Sequence, residues 1–284
     1  MLIEYLKAVA LGVIEGITEW LPISSTGHLI LLGELLMPSV SGNLGEEFSA
    51  QYSTMFSVVI QLGAILAVGV AYFKELIPTT KKARALWIKL ALATVPAAVI
   101  GFLADALCKN AFQKSLDSLL FCPEVVASAL IVYGVLFIFV ERLTVNRQNA
   151  VSSVERITLP TALAVGCFQA LALVPGTSRS GATVLGARIL GIDRRAAAEF
   201  SFFAALPVIA AASALKLLSF SQYAIDCGIS IPPDALLLLL VAGATAFLTS
   251  LLTIRFLTDF IKKHTFIPFG IYRILLGIAV LGIA

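Results

Sequence analysis

Predominantly apolar residues run over 55–73, 86–107, 125–140, 200–218, 235–254 and 266–284, with Lys89, Asp105, Lys216 and Arg273 the charged residues among them. Each run is read as a helix able to cross a hydrocarbon core ~30 Å thick at 1.5 Å per residue, 125–140 being the shortest. Two further runs break in the middle. Residues 2–21 run into Pro22-Ile23-Ser24-Ser25-Thr26-Gly27 and resume over 28–37. Residues 159–174 run into Pro175-Gly176-Thr177-Ser178-Arg179-Ser180-Gly181 and resume over 182–192. Each resumed piece is about ten residues, roughly 15 Å of helix, or half a bilayer. A helix, a polar break and a half-helix predict a re-entrant hairpin. Irregular backbone at membrane depth is tolerated only where protein buries it or a wet cavity lines it.

Composition agrees with this pattern. Of 284 residues 59% are hydrophobic and only 13% charged, and the mean hydropathy is +0.98. Soluble domains are nearer half apolar and a quarter charged. The expected fold is therefore an all-α polytopic membrane protein, residues 1–284 forming one membrane domain. The net charge of +3 is small and the basic residues sit in loops, so no nucleic-acid partner is expected. Four scattered cysteines and two histidines give no zinc spacing. Glu15 and Glu19 interrupt the first run and no small-residue cleavage site follows, so a cleavable signal peptide is not expected.

The basic residues set a sidedness. Lys74, Lys81, Lys82, Arg84 and Lys89 fall in one loop region, and Arg142, Arg147 and Arg156 in a second. Arg194 and Arg195 follow the second hairpin, and Arg255, Lys262 and Lys263 lie between the last two runs. The alternate loops, 38–52, 108–123 and 219–234, hold only Lys109 and Lys114. If each hairpin returns to its own side, six crossings place every basic cluster in the cytoplasm.

The two broken regions align without a gap when residue n is set against n+154. Gly12 meets Gly166, Glu15 meets Gln169, Ser24 meets Ser178, and Gly27 meets Gly181. Ser25 meets Arg179 and Thr26 meets Ser180. Each half, approximately 1–145 and 155–284, is one hairpin plus three crossings. Three is odd, so the halves are expected to insert upside down relative to each other. Their polar tips would then meet near the midplane, as in inverted-repeat membrane proteins.

Chemistry concentrates at those tips. Glu15 and Glu19 are four apart and share a helix face. Ionisable residues inside apolar runs are usually functional. The pair either holds a divalent cation or keeps one carboxyl protonated as an acid or base; a structural role bonding the unwound chain is the plain alternative. The first tip offers Ser24, Ser25, Thr26, Gly27 and His28. The second offers Thr177, Ser178, Ser180 and Gly181 with Arg179. Helix N-termini, hydroxyls and a guanidinium make a cradle for a polyanion. Ser25 is a candidate nucleophile with Glu19 or His28 as its base. Capping accounts equally for any single serine, packing for His28, and a structural ion pair with Glu15 or Glu19 for Arg179. Gln61, Gln169 and Glu199 are weaker candidates for supporting roles. Arg273 is expected to snorkel from the last crossing, and Tyr133 and Tyr272 to lie in interfacial aromatic belts.

At these residues the sequence resembles the undecaprenyl-diphosphatase family, also called the bacitracin-resistance proteins. The resemblance rests on Glu15-Gly16-Ile17-Thr18-Glu19-Trp20-Leu21-Pro22-Ile23-Ser24-Ser25-Thr26-Gly27-His28 and on the second tip. Val59-Ile60-Gln61-Leu62-Gly63, Glu199-Phe200-Ser201-Phe202 and Phe266-Ile267-Pro268-Phe269 extend it over nearly the whole chain. It implies a phosphatase that takes one phosphate from undecaprenyl diphosphate at the outer face of the bacterial inner membrane. It also implies a divalent cation, Mg2+ or Ca2+, on Glu15 and Glu19. The family's catalytic serine, histidine and phosphate-binding arginine fall on Ser25, His28 and Arg179. The lipid substrate and membrane lipids are the expected partners, with a homodimer allowed. The competing reading is a secondary transporter or flippase for an anionic polyprenyl lipid, since broken helices and inverted repeats are transporter features.

Overall fold

With no water in a bilayer core to satisfy the backbone, each apolar run must close its hydrogen bonds within itself. The computed structural model describes residues 1–41, 45–145, 147 and 150–282, and these form helices α1 (Leu2–Thr18), α2 (Ser25–Leu36), α3 (Gly45–Val59), α4 (Gln61–Ala71), α5 (Phe73–Leu76), α6 (Lys81–Phe112), α7 (Leu116–Leu120), α8 (Pro123–Thr144), α9 (Leu159–Ala170), α10 (Arg179–Ile189), α11 (Arg194–Asp226), α12 (Pro233–Lys263) and α13 (Ile267–Leu281). Among the described residues the only β-pairing is an isolated bridge between Val151 and Ile192. Phe102, Leu107, Phe139, Leu240 and Leu252 are exposed, a surface that suits lipid and would be a liability in water. The protein is a multi-pass, all-α membrane protein.

Among the described residues five helical stretches are long and apolar enough to cross a membrane: Gly45–Ala71, which joins α3 and α4, Lys81–Phe112, Pro123–Thr144, Arg194–Asp226 and Pro233–Lys263. All five extend past the apolar runs that predict them, because hydropathy marks only the lipid-embedded stretch while the hydrogen-bonded helix continues into polar sequence. The loop expected over 38–52 is thus helical from Gly45, and those expected over 108–123 and 219–234 are largely helical. The sixth run behaves differently. Its helix, α13, has 15 residues, about 22 Å, and residues 283–284 lie outside the described residues. The four cysteines are free.

Helix contacts repeat in exchanged pairs. α1 packs on α12, and α9 packs on α6. α4 meets α12, and α11 meets α6. α2 touches α13, and α10 touches α8. The pair α8–α13 joins the two groups. Small residues permit these approaches. A Cβ on Gly134 would lie 2.7 Å from the Gly270 carbonyl oxygen, and one on Gly270 would lie 2.7 Å from that of Gly134. At one end of the bundle the buried Glu141 forms an ion pair with Arg188 at 3.5 Å and accepts a hydrogen bond from Arg194. Arg188 also donates to the Thr144 hydroxyl at 2.7 Å and the Ile192 carbonyl at 3.0 Å. This cluster fixes the end of α10 to the end of α8.

Gly134→Ala should force α8 and α13 apart and lower stability by about 1–3 kcal/mol, read as a lower melting temperature in detergent. An unchanged melting temperature would show that this approach is not needed.

Candidate active site

Both tips are built in the same way. α1 ends at Thr18, and Glu19 continues its helical turn by donating its N–H to the Glu15 carbonyl at 3.0 Å. The i,i+4 relation of the two glutamates is therefore kept. The chain then unwinds and restarts at α2. α9 ends at Ala170, passes through a 3-10 turn over Leu171–Leu173, and restarts at α10. The breaks are shorter than the sequence suggests. Ser25 and Thr26 lie in the first turn of α2, and Arg179 and Ser180 in that of α10. The amides of a first helical turn have no partner within the helix, so both tips present free donors.

The N-cap residues are Ser24, with φ 73°, and Ser178, with φ 68°. A positive φ is costly for any residue with a Cβ, and such strain gathers at functional sites. These two serines are the pair that the n+154 alignment superposes. The Ser178 hydroxyl accepts from the Gly181 N–H at 3.2 Å. Ser24 makes no such cap, and its buried hydroxyl has no partner among the described residues.

The tips meet through charge. Arg179 donates from Nη2 and Nε to Glu19 Oε1 at 2.8 and 3.2 Å, and from Nη1 to the Ser201 carbonyl at 2.9 Å. Thr183 shares a 2.6 Å hydrogen bond with the Ser201 hydroxyl and donates to the Arg179 carbonyl at 2.9 Å. Ser180 donates to the Leu21 carbonyl at 3.4 Å, from one tip to the other. Glu15 is buried, and neither carboxylate oxygen has a hydrogen-bond partner among the described residues. A buried carboxylate without a partner is expensive, so this pair is suited to a cation or a proton. Glu15 with Glu19 Oε2 fits a hard divalent ion. Among the described residues no group of three His, Cys, Asp or Glu side chains that could hold a metal exists, so a divalent ion on the glutamate pair would need its other ligands from hydroxyls, water and substrate oxygens, a donor set that suits Mg2+.

His28 is committed on both nitrogens. Nδ1 lies 2.8 Å from the Ser24 carbonyl and must donate to it, so in the neutral ring Nε2 accepts from the Tyr272 hydroxyl at 2.7 Å. Ser25 is half-buried, and among the described residues its hydroxyl is bonded to neither Glu19 nor His28. Thr26 is half-buried beside it. Gly27 is required by close packing, since a Cβ there would meet Leu130 and Leu276 at 2.9 and 3.0 Å. The Thr177 hydroxyl is buried and unpartnered.

One sequence expectation is corrected. Arg273 does not snorkel: it is fully buried and donates to the Pro22, Gly176 and Thr177 carbonyls. It is in the middle of α13, where an ionisable residue in an apolar run is itself the signal of function. Tyr133 and Tyr272 are site neighbours, one beside the Arg273 guanidinium and the other stacked on His28 with ring centres 5.7 Å apart. Glu199 pairs with Arg195 at 2.8 Å and lines a separate cavity with Lys74 and Lys82. Gln169 donates to the Ala93 carbonyl at 3.4 Å, outside the Glu19–Arg179 pair. Thr183 carries no sequence signal beyond being polar in an apolar helix, whereas Ser201 falls within the Glu199-Phe200-Ser201-Phe202 stretch of the resemblance.

The fold and tips define a helical membrane protein with a buried polar site between two broken helices. A sequence model of the family described as bacitracin resistance protein BacA matches residues 8–279. The protein named undecaprenyl-diphosphatase from Enterococcus faecalis is 46% identical, the match covering 98% of this chain and 96% of the relative. Those from Streptococcus suis and Acetivibrio thermocellus are 47% and 45% identical, each over 98% of this chain and 95% and 97% of the relative. The chain belongs to the BacA family.

Ser24→Gly should leave the melting temperature at or above that of the starting protein, because the serine makes no cap bond and glycine accepts positive φ freely. A clear drop would mean that the Ser24 side chain holds the fold.

Proposed function

We propose that this chain is an undecaprenyl-diphosphatase, hydrolysing undecaprenyl diphosphate to the monophosphate carrier lipid and phosphate. The relatives' shared name supports it over a transporter or flippase. The observation that carries it is the meeting of Glu19 in one break with Arg179 in the other, beside two sets of free helix N-terminal amides. Such a cradle is suited to a group that carries several negative charges and is attacked where it is held.

In this reading Arg179 and the amides of Ser25, Thr26, Arg179 and Ser180 bind the terminal phosphoryl oxygens. Ser24, Thr177, Ser178 and Ser180 supply hydroxyls, and Gly27 and Gly181 keep the backbone close. Glu15 and Glu19 would hold a divalent cation, which when bound would neutralise phosphate charge. Ser25 is the attacking group, and a carboxylate of the glutamate pair takes its proton as substrate loosens the Glu19–Arg179 contact. His28, held by Ser24 and Tyr272, orients the first tip. Phosphate leaves once the bond to the bridging oxygen has broken and water has released the phosphoryl group.

The same reading takes six crossings and two re-entrant hairpins in inverted repeats, approximately 1–145 and 155–284. Support comes from the exchanged helix contacts and from the matched backbone of Ser24 and Ser178. The basic ends of the helices lie in the cytoplasm, and the tips open to the outer side of the bacterial cytoplasmic membrane. A groove of about 400 Å³ lined by Val125, Ala129, Val132, Val174 and Thr177 runs along α8 to the second tip, and its apolar walls suit the prenyl chain.

The purified protein should release phosphate from a long-chain polyprenyl diphosphate and stop on EDTA addition. Arg179→Ala and Ser25→Ala should each lose at least about 100-fold in kcat. Absence of release from folded protein would refute the phosphatase reading. For sidedness, a membrane-impermeant thiol reagent outside the cell should label Glu46→Cys and not Arg84→Cys in a chain without its native cysteines. The opposite pattern would invert the topology.

A further inference from the structure

Arg273 lies at the midpoint of α13 with none of its surface exposed. Its Nη1 donates to the Pro22 carbonyl at 3.2 Å, and its Nη2 to the Gly176 and Thr177 carbonyls, both at 2.8 Å. Pro22 belongs to the first break and Gly176 and Thr177 to the second. One planar guanidinium therefore joins both unwound segments from behind. Its carbon is 5.7 Å and 5.9 Å from the ring centres of Tyr133 and Phe137 on α8, a cation–π setting. Among the described residues its hydrogen bonds go only to backbone carbonyls. A buried cation without a carboxylate partner is a costly way to glue helices, which a neutral donor would do as well.

One consequence bears on the reaction, and it is orientation. The peptides are trans, so each N–H points opposite to the carbonyl of the same peptide unit. Drawing the Thr177 carbonyl onto Arg273 turns the Ser178 N–H the other way, and that N–H has no acceptor among the described residues. It joins the free amides that open α10 next to Arg179. The space for the guanidinium exists because residue 181 is glycine, where a Cβ would sit 2.9 Å from Arg273 Nη1.

We propose that Arg273 is a positioning residue of the phosphoryl-transfer site, holding the two breaks in register and aiming the Ser178 amide. The proposal rests on the phosphatase reading. Two variants of the full-length protein separate its parts. Arg273→Lys keeps the charge on a single point that cannot span three carbonyls, and Arg273→Gln keeps one amide donor without charge. Both are measured against the starting protein for melting temperature, kcat and KM on a long-chain polyprenyl diphosphate. Gly134→Ala, a packing lesion on the same α8–α13 contact, serves as the control for lost stability.

Both Arg273 variants should be recovered folded, with kcat lowered about 30-fold or more and KM within about threefold. Gly134→Ala should keep its kcat when assayed at the same margin below its own melting temperature. The proposal is overturned if Arg273→Lys keeps kcat within about threefold, if Gly134→Ala reproduces the kcat loss, or if neither variant folds. A failure of the phosphatase reading is told apart, because then the starting protein itself releases no phosphate.

Discussion

The ion pair between Glu19 and Arg179, 160 residues apart in the chain and 2.8 Å apart in space, constrains everything around it. Both side chains are mostly withdrawn from solvent, at 9% and 12% exposure. Separating such a pair by deleting one partner costs about 3–5 kcal/mol. To form it, the end of α1 must reach the start of α10 in the interior of the bundle. That requirement explains the backbone breaks, since an unbroken helix would carry both residues past each other. It also explains the glycines on α1: Gly12 and Gly16 bring that helix against the α12 backbone, where a Cβ would overlap its carbonyls.

The tips keep polar groups unmatched that an ordinary interior would match. The Glu15 carboxylate and the Ser24 and Thr177 hydroxyls have no partner among the described residues, and two serines hold a left-handed backbone. Each is a cost in the folded protein. Gathered in one place, they are donors and acceptors that the proposed diphosphate and divalent cation would engage. Donors fixed in advance need no reorganisation when charge develops on a phosphoryl group, and this is the main source of electrostatic catalysis. The surrounding structure must then be stiff. Thr183 and Ser201 brace Arg179, Tyr272 braces His28, and Arg273 braces both breaks.

The candidate site was legible where a local rule and an unusual residue coincided. Glu15 and Glu19 stood out as carboxylates in an apolar run, and the tips as Ser/Thr/Gly clusters between half-length helices. The gapless n+154 match marked Ser24 and Ser178, which share a backbone conformation that no propensity would suggest. Tertiary facts were not legible. Glu199 is an intramembrane-looking carboxylate like Glu15, yet its i−4 neighbour Arg195 satisfies it. Arg273 has the same sequence appearance as a snorkelling arginine, and only the packing of α13 against α8 and both breaks buries it. Helix ends were underestimated because hydropathy reports contact with lipid, whereas a helix stops where its hydrogen bonds do.

The central claim, that the two breaks act as one site through Glu19 and Arg179, is tested most directly by a double-mutant cycle on kcat/KM. The four proteins are the starting chain, Glu19→Gln, Arg179→Lys and the double variant. A single coupled site predicts strong non-additivity, with the double variant no worse than about tenfold below the poorer single variant and a coupling energy above about 1.5 kcal/mol. Losses that add to within about 0.5 kcal/mol would mean that the two residues act independently, and would contradict the account.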